Sequence, residues 1–587
     1  MKRMKKLSRM LLKIGACCLF LLLPAIETIA QQVITTNPMN LNYRFYPPEK
    51  QDKGREAADP VCEYFKGKYY LFASKSGGYW SSTDLANWTY IPCKTITTIE
   101  NYAPTILIYN DAVYYMGSGK SPKVFRNENP DADNWVEIDA KFSTQIEESL
   151  DDVSFFTDDN GKTYLYWGCS DKKPIRGIRI EPENGFSAVG EPVTLIEHHF
   201  EKYGWEAPGD KNQNNKKGYN EGPCMTRYNG KYYLQYAAPG TQWRNYGDGI
   251  YTSDKPLGPY VYDETSPFSF KPGGFIGGAG HGHTFKDKYG NHWHVASMTI
   301  AVKHMFERRL GLFPVYFSKS GHIYAHTVFT DYPFEVPQKK VDFSNSDFSK
   351  NWNLLSYRKP VVASSGLAGC EPEKAVDEMI ETFWSSETGN AGEWLQIDLG
   401  DPLRINAFQI NFADHEFKIR GFQTYFNYQY IVESSNDGKT WTKLIDKADN
   451  KEDKPHDFIV LGKPVTVRYL RITNTHEVPG KFSLTGFRVF GKGNGKAPKA
   501  VAKLNVLREK DLRRYEFSWD AAEGATGYII HWGTDKNELR NSTMVMGDTQ
   551  LEAGYFNRDS KYYFSIDSFN ENGITRNKKV YETGMIH

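Results

Sequence analysis

Cysteine is scarce in this chain, seven in 587 residues, and the five beyond residue 30 are Cys62, Cys93, Cys169, Cys224 and Cys370. Odd in number, widely spread and without C-x-x-C spacing, they indicate neither a disulfide framework nor a zinc site. Most of them read as small buried apolar residues. An excess of charge of either sign is also lacking: 72 Lys plus Arg stand against 71 Asp plus Glu, a net charge of +1. With no long basic or acidic run after the N-terminus, nucleic acid and acidic polymers gain no electrostatic hold. Long apolar runs are missing too, apart from the stretch between Ile14 and Ile26, which is short for a bilayer span. It follows Lys2, Arg3, Lys5, Lys6, Arg9 and Lys13 and precedes Thr28-Ile29-Ala30, the three-part pattern of a secretory signal peptide. Residues 1–30 are therefore expected to direct export, leaving a secreted or periplasmic chain with no integral membrane segment.

Aromatic residues, by contrast, are abundant: 15 % of the chain, with 38 Tyr and 13 Trp. Flat rings stack on the C–H faces of sugars, and they also favour strands, so the excess suits a carbohydrate reader and a β-rich fold equally. The length excludes a single core, because cores stop growing at roughly 250–300 residues. Between Asp59 and Phe334 one pattern recurs five times. A polar or small residue, often followed by Pro, leads into an apolar strand, a Gly- or Asn/Asp-containing turn and an aromatic strand. The copies open at Asp59-Pro60, Ala103-Pro104, Asp152-Val153, Glu221-Gly222 and His281-Gly282. Short hairpin strands repeated in this way predict a propeller of antiparallel blades. The fold class read from the sequence is all-β: a five-bladed propeller over residues 31–340, then two β-sandwiches.

In a propeller the residues that open the innermost strands converge on the central axis. Four of the five opening positions carry titratable groups: Asp59, Asp152, Glu221 and His281. Cleaving an acetal needs a proton for the leaving oxygen and a nucleophile at the anomeric carbon, and two carboxyls serve if their environments push their pKa values apart. On this reading Glu221 sits among other carboxylates, stays protonated and is the acid. Asp59 is the base that activates water, and Asp152 orients the acid and holds its pKa up. Carboxyls on different blades are expected roughly 6.5–9.5 Å apart, which leaves room for water and implies inversion.

Residues 32 to about 335 resemble glycoside hydrolase family 43, five-bladed propeller enzymes that invert at the anomeric centre. The family's base motif matches Asp59-Pro60, and its Asp-Pro-Ser segment before Asp-Asp-Gly matches Asp152-Val153-Ser154 with Asp158-Asp159-Asn160-Gly161, Val153 replacing Pro. Its acid motif matches Glu221-Gly222-Pro223, and its Gly-His matches Gly280-His281. The resemblance implies Asp59, Asp152 and Glu221 as catalytic residues. It implies His281 as support for a central water or calcium ion, and Arg308 as a substrate contact, with Arg309 competing for that role. Trp80, Trp205 and Trp243 are candidates for lining the sugar site, Trp80 first among them. His283, His292 and His294 follow His281 on a hairpin spacing that gives no tetrahedral zinc geometry.

Residues 350–492 resemble a discoidin-type (F5/8 type C) domain, the fold of carbohydrate-binding module family 32. The resemblance rests on Thr382-Phe383-Trp384-Ser385-Ser386, Glu393-Trp394-Leu395-Gln396-Ile397-Asp398-Leu399-Gly400 and Arg468-Tyr469-Leu470-Arg471-Ile472. This domain would either bind sugar through its loops or pack against the propeller. After a Gly/Lys/Pro linker, residues 498–587 resemble fibronectin type III through Phe517-Ser518-Trp519 and Tyr528-Ile529-Ile530-His531-Trp532. Calcium, in the central channel or the discoidin-like domain, is the cofactor these resemblances allow. An oligo- or polysaccharide is the expected substrate, of arabinofuranoside, xyloside or galactoside type. The alternative is a carbohydrate-binding or adhesion protein that keeps the scaffold without turnover. A fructan-cleaving propeller is disfavoured, because its Trp-x-Asn-Asp-Pro-Asn-Gly and Arg-Asp-Pro signatures are absent.

Overall fold

The computed structural model describes residues 32–45, 54–345, 348–419 and 426–583; the expected signal peptide lies outside them. The structure is all-β. From Ala58 to Ala325 five antiparallel sheets follow one another, each a simple meander. The first runs Ala58–Phe65, Lys68–Ser74, Gly78–Ser82, Thr89–Pro92 and the second Thr105–Tyr109, Ala112–Met116, Val124–Asn127, Val136–Ile138. The third is Ser154–Thr157, Thr163–Trp167, Ile175–Glu181, Ser187–Ile196. Asn220–Tyr228, Lys231–Ala238, Gly247–Ser253 and Val261–Tyr262 form the fourth, with Cys169–Ser170 added along its first strand. The fifth is Gly277–Lys286, His292–Thr299, Arg308–Phe317, Ile323–Ala325.

Local chemistry sets these hairpins. Lys66-Gly67, Asn110-Asp111 and Asn229-Gly230 are two-residue loops with positive φ at both positions, the turn whose twist matches that of paired strands. Each sheet's first strand lies against the first strand of the next, and the fifth lies against the first, so the five sheets close a ring. A recurring hydrogen bond stitches the junctions. Ser74 Oγ accepts the Ala103 N–H (2.7 Å), Ser118 Oγ the Asp152 N–H (2.8 Å), Asp248 Oδ1 the His281 N–H (2.7 Å) and Ser297 Oγ the Asp59 N–H (2.7 Å). Each acceptor stands on or just after a strand of one sheet and each donor lies at or near the start of the next sheet's first strand, which satisfies a backbone donor that the ladder leaves unpaired.

After the ring, strands from Asn353–Leu354 to Ser483–Lys492 make one eight-stranded sheet system. Its spine is two 19-residue strands, Trp394–Phe412 and His456–Asn474, paired antiparallel. Alternation along Trp394-Leu395-Gln396-Ile397-Asp398-Leu399 sends Leu395, Ile397 and Leu399 into a core with Trp384, Phe408 and Leu470. The last segment forms two further sheets, Leu504–Arg508, Tyr515–Trp519, Gln550–Ala553 and Gly527–Gly533, Asn541–Met546, Tyr563–Asn570, Gly573–Thr575, Tyr581–Glu582. The Gly/Lys/Pro segment before it is held in place: Gly493 N–H donates to Glu571 O (3.1 Å) and Gly495 N–H to Asn572 Oδ1 (2.8 Å).

The cores run across these boundaries. Tyr332, Leu354, Ala407, Phe490, Ile529, Met544 and Phe569 form one buried cluster drawn from all three regions. Trp205 and Tyr236 of the ring share a second cluster with Trp532 and Tyr555.

Candidate active site

Asp59, Asp152, Glu221 and His281 gather where the first strands of the ring converge. Asp59 opens its strand at φ 51°, a left-handed conformation that costs an L-residue energy and persists only where its surroundings impose it. Its carboxylate accepts the Ser74 hydroxyl (2.6 Å) and Arg308 Nη1–H (3.0 Å), and it faces His281 Nδ1 at 3.3 Å. Burial alone would raise this carboxyl. Arg308 and His281, followed by the Ser74 and Ser297 hydroxyls, outweigh burial and hold Asp59 below its ordinary value. Asp59 is therefore an anion at neutral pH.

Arg308 also pairs with Glu56 through Nη2 at 2.6 Å. Its buried Nε has no hydrogen-bond partner among the described residues. The half-buried rings of Tyr102 and Phe306, 5.7 Å apart, flank its guanidinium. Arg309 turns the other way, donating from Nε to His456 Nε2 (2.7 Å). Of the two arginines weighed from sequence, the structure brings Arg308 to the carboxylates and Arg309 to residues 350–492.

Asp152 lies 3.5 Å from His281 Nδ1. Burial raises its carboxyl, the His281 charge opposes that, and the negative charges of Glu221 and Asp59 add to it. The balance pushes Asp152 up to about 7. Glu221 accepts hydrogen bonds from the Tyr246 hydroxyl and from the Cys169 thiol (3.3 Å). Cys169 stands opposite Glu221 in the strand register, so the thiol lies between the two carboxyls.

The repeat puts Glu221 in register with Asp59, Asp152 and His281, and here the structure corrects the sequence reading. In the bulged first strands Ala58 pairs with Ser74, Glu221 with Ala237 and Gly280 with Ser297. Gly222, at φ 58°, is thus the equivalent of Asp59 and His281, and Glu221 stands one residue upstream. Space is the reason. A methyl group on Gly222 would lie 2.5 Å from the His281 ring, so only glycine leaves room for the imidazole. The longer glutamate enters from the preceding position.

His281 is fixed from behind. Asp248 accepts both the His281 N–H and the Gly282 N–H (2.7 and 3.0 Å) and lies 3.0 Å from His294 Nε2. Burial disfavours the imidazolium, but Asp152, Asp59, Glu221 and Asp248 outweigh it and raise His281 above its ordinary value. The ring is an ion-pair partner bridging Asp59 and Asp152. Calcium takes six to eight oxygen ligands. Among the described residues the one cluster of three metal-capable side chains is Asp152, Cys169 and Glu221, whose thiol is a soft donor, beside an imidazole already engaged by two carboxylates. These donors do not fit calcium.

Trp80, expected to bind substrate, is fully buried in a core with Leu71, Trp88 and Trp293 and cannot meet a sugar. The third strand of the first sheet carries it away from the axis. Trp205 is likewise buried, and Trp243 is half-buried in the turn before Tyr246. Sequence reasoning missed Glu56, Cys169, Tyr246 and Asp248. Tyr246-Gly247-Asp248 carried a faint signal, two polar groups at alternate positions entering a strand; an isolated cysteine carried none.

Residues 54–323 match the model for glycosyl hydrolases family 43, and residues 360–485 match that for the F5/8 type C domain. A similar curated protein is the beta-D-galactofuranosidase xynD of Aspergillus niger, 26 % identical, with 35 % of this chain and 62 % of the relative covered. The chain thus spans less than two thirds of that relative's length. Among solved structures, one described as a glycoside hydrolase is similar at 19 % identity, covering 74 % of this chain and 97 % of its own, with a TM-score of 0.45. Another, an endo-1,4-beta-xylanase from Bacteroides thetaiotaomicron, is 22 % identical, covering 46 % of this chain and 95 % of its own at a TM-score of 0.38. The chain therefore carries a glycosyl hydrolases family 43 domain over residues 54–323, joined to an F5/8 type C domain over residues 360–485.

Proposed function

We propose that this chain is a secreted, inverting glycoside hydrolase that removes terminal or side-chain sugars from polysaccharides. The five sheets are read as the blades of a propeller, and the regions after it as a jelly roll and a fibronectin type III-like sandwich. The observation that carries the catalytic reading is the divergence of two buried carboxyl environments. Asp59 is held ionised by Arg308 and His281, whereas Asp152, beside Glu221, keeps a proton up to about pH 7. One side of the site accepts a proton at neutral pH and the other retains one, as acetal hydrolysis requires.

In the reaction, Asp59 takes a proton from water as the water oxygen bonds to the anomeric carbon. The bond from that carbon to the leaving oxygen breaks, and Glu221 gives its proton to the leaving oxygen. Asp152 and the Cys169 thiol keep the acid oriented; Arg308 and Ser74 fix the base. Sugars of arabinofuranoside, xyloside or galactoside type are the proposed substrates, and the similarity to a galactofuranosidase supports including the last.

The test is a panel of aryl glycosides with the purified chain. Glu221→Gln and Asp59→Asn are each expected to lower turnover by roughly 10²–10⁴-fold, the share general acid–base catalysis supplies, with melting temperatures near wild type. Early proton NMR of the product should show the anomer inverted. Wild-type rates in either variant overturn the assignment, and a retained anomer overturns the base role of Asp59.

A further inference from the structure

Arg308 and Glu56, which hold the base, have neighbours in sequence that point the opposite way. Arg55 is fully buried and donates through Nε to Asp414 (2.8 Å) and through Nη1 to Asp453 (2.7 Å). Its guanidinium also lies over the Phe45 ring. Arg309, equally buried, donates to His456 Nε2 and, through Nη1, to the backbone carbonyls of Arg55 (2.8 Å) and Arg308 (2.9 Å). Two adjacent pairs therefore alternate. Glu56 and Arg308 face the catalytic carboxylates, while Arg55 and Arg309 face the F5/8 type C domain and are tied to each other.

The anchors on that domain are built for the purpose. Asp414 also accepts the Tyr428 hydroxyl (2.8 Å) and Asp453 the Phe426 N–H (3.0 Å). His456 must present Nε2 as an acceptor to Arg309, which leaves Nδ1–H to donate to Asn411 Oδ1 at 2.8 Å. Burial and the charges of Arg309 and Arg55 hold it well below its ordinary value, so the ring is neutral and in that tautomer. Lys303, in the loop before Arg308, donates to the Ala413 and Asp414 carbonyls (2.7 and 3.0 Å). A domain that only tethers the enzyme to polysaccharide needs no buried ionic clasp on residues adjacent in sequence to Glu56 and Arg308.

We infer that the F5/8 type C domain is part of the catalytic apparatus, with Asp414, Asp453 and His456 acting as positioning residues for Asp59 through Arg55, Arg309 and the Glu56–Arg308 pair. The inference rests on the reading of Asp59 as the base. Asp59 is faced by Arg308, His281, Asp152, Glu56 and Tyr246. Of these, Arg308 and Glu56 lie next to the clasp.

The test compares His456→Ala, His456→Gln, Asp453→Asn and Glu378→Gln in the full chain, on a small soluble aryl glycoside, so that adhesion to polysaccharide plays no part. His456→Gln keeps an acceptor for Arg309. Glu378→Gln perturbs a different buried ion pair of the same domain, Glu378 with Arg488, and serves as the control. In His456→Ala and Asp453→Asn, kcat is expected to fall about tenfold to a hundredfold with KM within about twofold, the signature of misplacement far from the chemistry. The acid limb of kcat/KM, set by Asp59, should move up by about one pH unit as Arg308 is loosened. His456→Gln should restore both readouts, and Glu378→Gln should leave the limb in place. A second readout needs no turnover: titration of the Asp59 carboxyl by carbon NMR of aspartate-labelled protein, assigned with Asp59→Asn, should rise in His456→Ala and return in His456→Gln. If His456→Ala merely melts earlier, with the Asp59 titration and kcat unmoved, the domain is a structural appendage and the inference is overturned. If the wild-type chain cleaves no glycoside, the proposed function falls by itself, and the carboxyl titration still decides whether the clasp positions Asp59.

Discussion

Asp152 carries the pH dependence of the site. Its carboxyl, pushed up to about 7 by burial, with Glu221 and Asp59 adding to that and His281 opposing it, retains a proton through the range in which Asp59 is ionised. Asp152→Asn removes that proton-holding group from beside Glu221. The alkaline limb of kcat/KM, which reports the free enzyme's acid, is expected to move to lower pH, while the acid limb set by Asp59 shifts little. A pH–rate profile on a substrate with a poor leaving group checks this, and an unmoved alkaline limb leaves Asp152 as a strand opener only. That Asp59, Asp152, Glu221 and His281 would lie near one another was legible because each stands at the opening of a copy of the repeat, whereas Arg308 rested on the family resemblance alone. The one-residue offset of Glu221 was not legible, since it comes from a bulge and from the His281 ring filling the space beside Gly222. Cys169 was hidden for a related reason: its contact with Glu221 exists only through pairing between strands 52 residues apart. Trp80 misled because an aromatic next to the first blade motif fits a core as well as a sugar platform, and burial cannot be read from residue type.

At the scale of elements, the five meanders follow from turns that residues such as Asn229-Gly230 dictate locally, which is why the all-β character was legible from the turn spacing. The hydrogen bonds that Ser74, Ser118, Asp248 and Ser297 accept between sheets were not, because serine and aspartate near strand ends are common and their acceptor role depends on the neighbouring sheet. In the excursion between the third and fourth sheets, with its short 3-10 segment Gly204–Glu206, the sequence reading singled out only Trp205. That segment contains a fully buried carboxyl, Glu206, that accepts the Tyr236 hydroxyl (2.6 Å) and the His199 N–H (2.8 Å). Burial overrides these hydrogen bonds and pushes it up to about 8. A carboxyl raised on folding stabilises the folded state fully below its unfolded value, and that contribution is lost as pH climbs through the folded one. Between about pH 4.5 and 8 the folded chain holds a proton here that the unfolded chain has released, so stability falls with pH by about 1.4 kcal/mol per unit from this group. Glu206→Gln removes that component. Urea denaturation at several pH values should show a shallower decline in the variant than in wild type; parallel lines would mean that Glu206 is ionised in the folded protein.

Across the whole molecule, what the sequence divides into three regions is joined by shared interior. The boundaries near residues 340 and 495 are visible as changes of pattern, but the contacts across them are not, because each apolar residue involved also fits a core of its own region. Phe329 meets Phe569 edge-on at 5.6 Å, and Phe270 meets Tyr555 at 4.9 Å. Arg488 sits at this junction, 2 % exposed, pairing with Glu378 through two nitrogens and donating to Asp331 O and Gln409 Oε1. Its guanidinium lies 4.4 Å from the Phe275 ring centroid. Arg488 and Glu378 belong to the F5/8 type C region, whereas Asp331 and Phe275 belong to the ring. Removing one partner of a buried pair leaves the other charge desolvated without compensation, which costs about 3–5 kcal/mol. Glu378→Ala is therefore expected to lose about that much stability. Because the clusters that include Tyr332, Phe490 and Phe569 span all three regions, the loss should appear as a shift of one transition. Tryptophan fluorescence and far-UV circular dichroism followed through the same denaturant series test this. Coincident curves displaced together support a single cooperative unit, and a variant in which one probe moves while the other stays would show that the regions unfold independently.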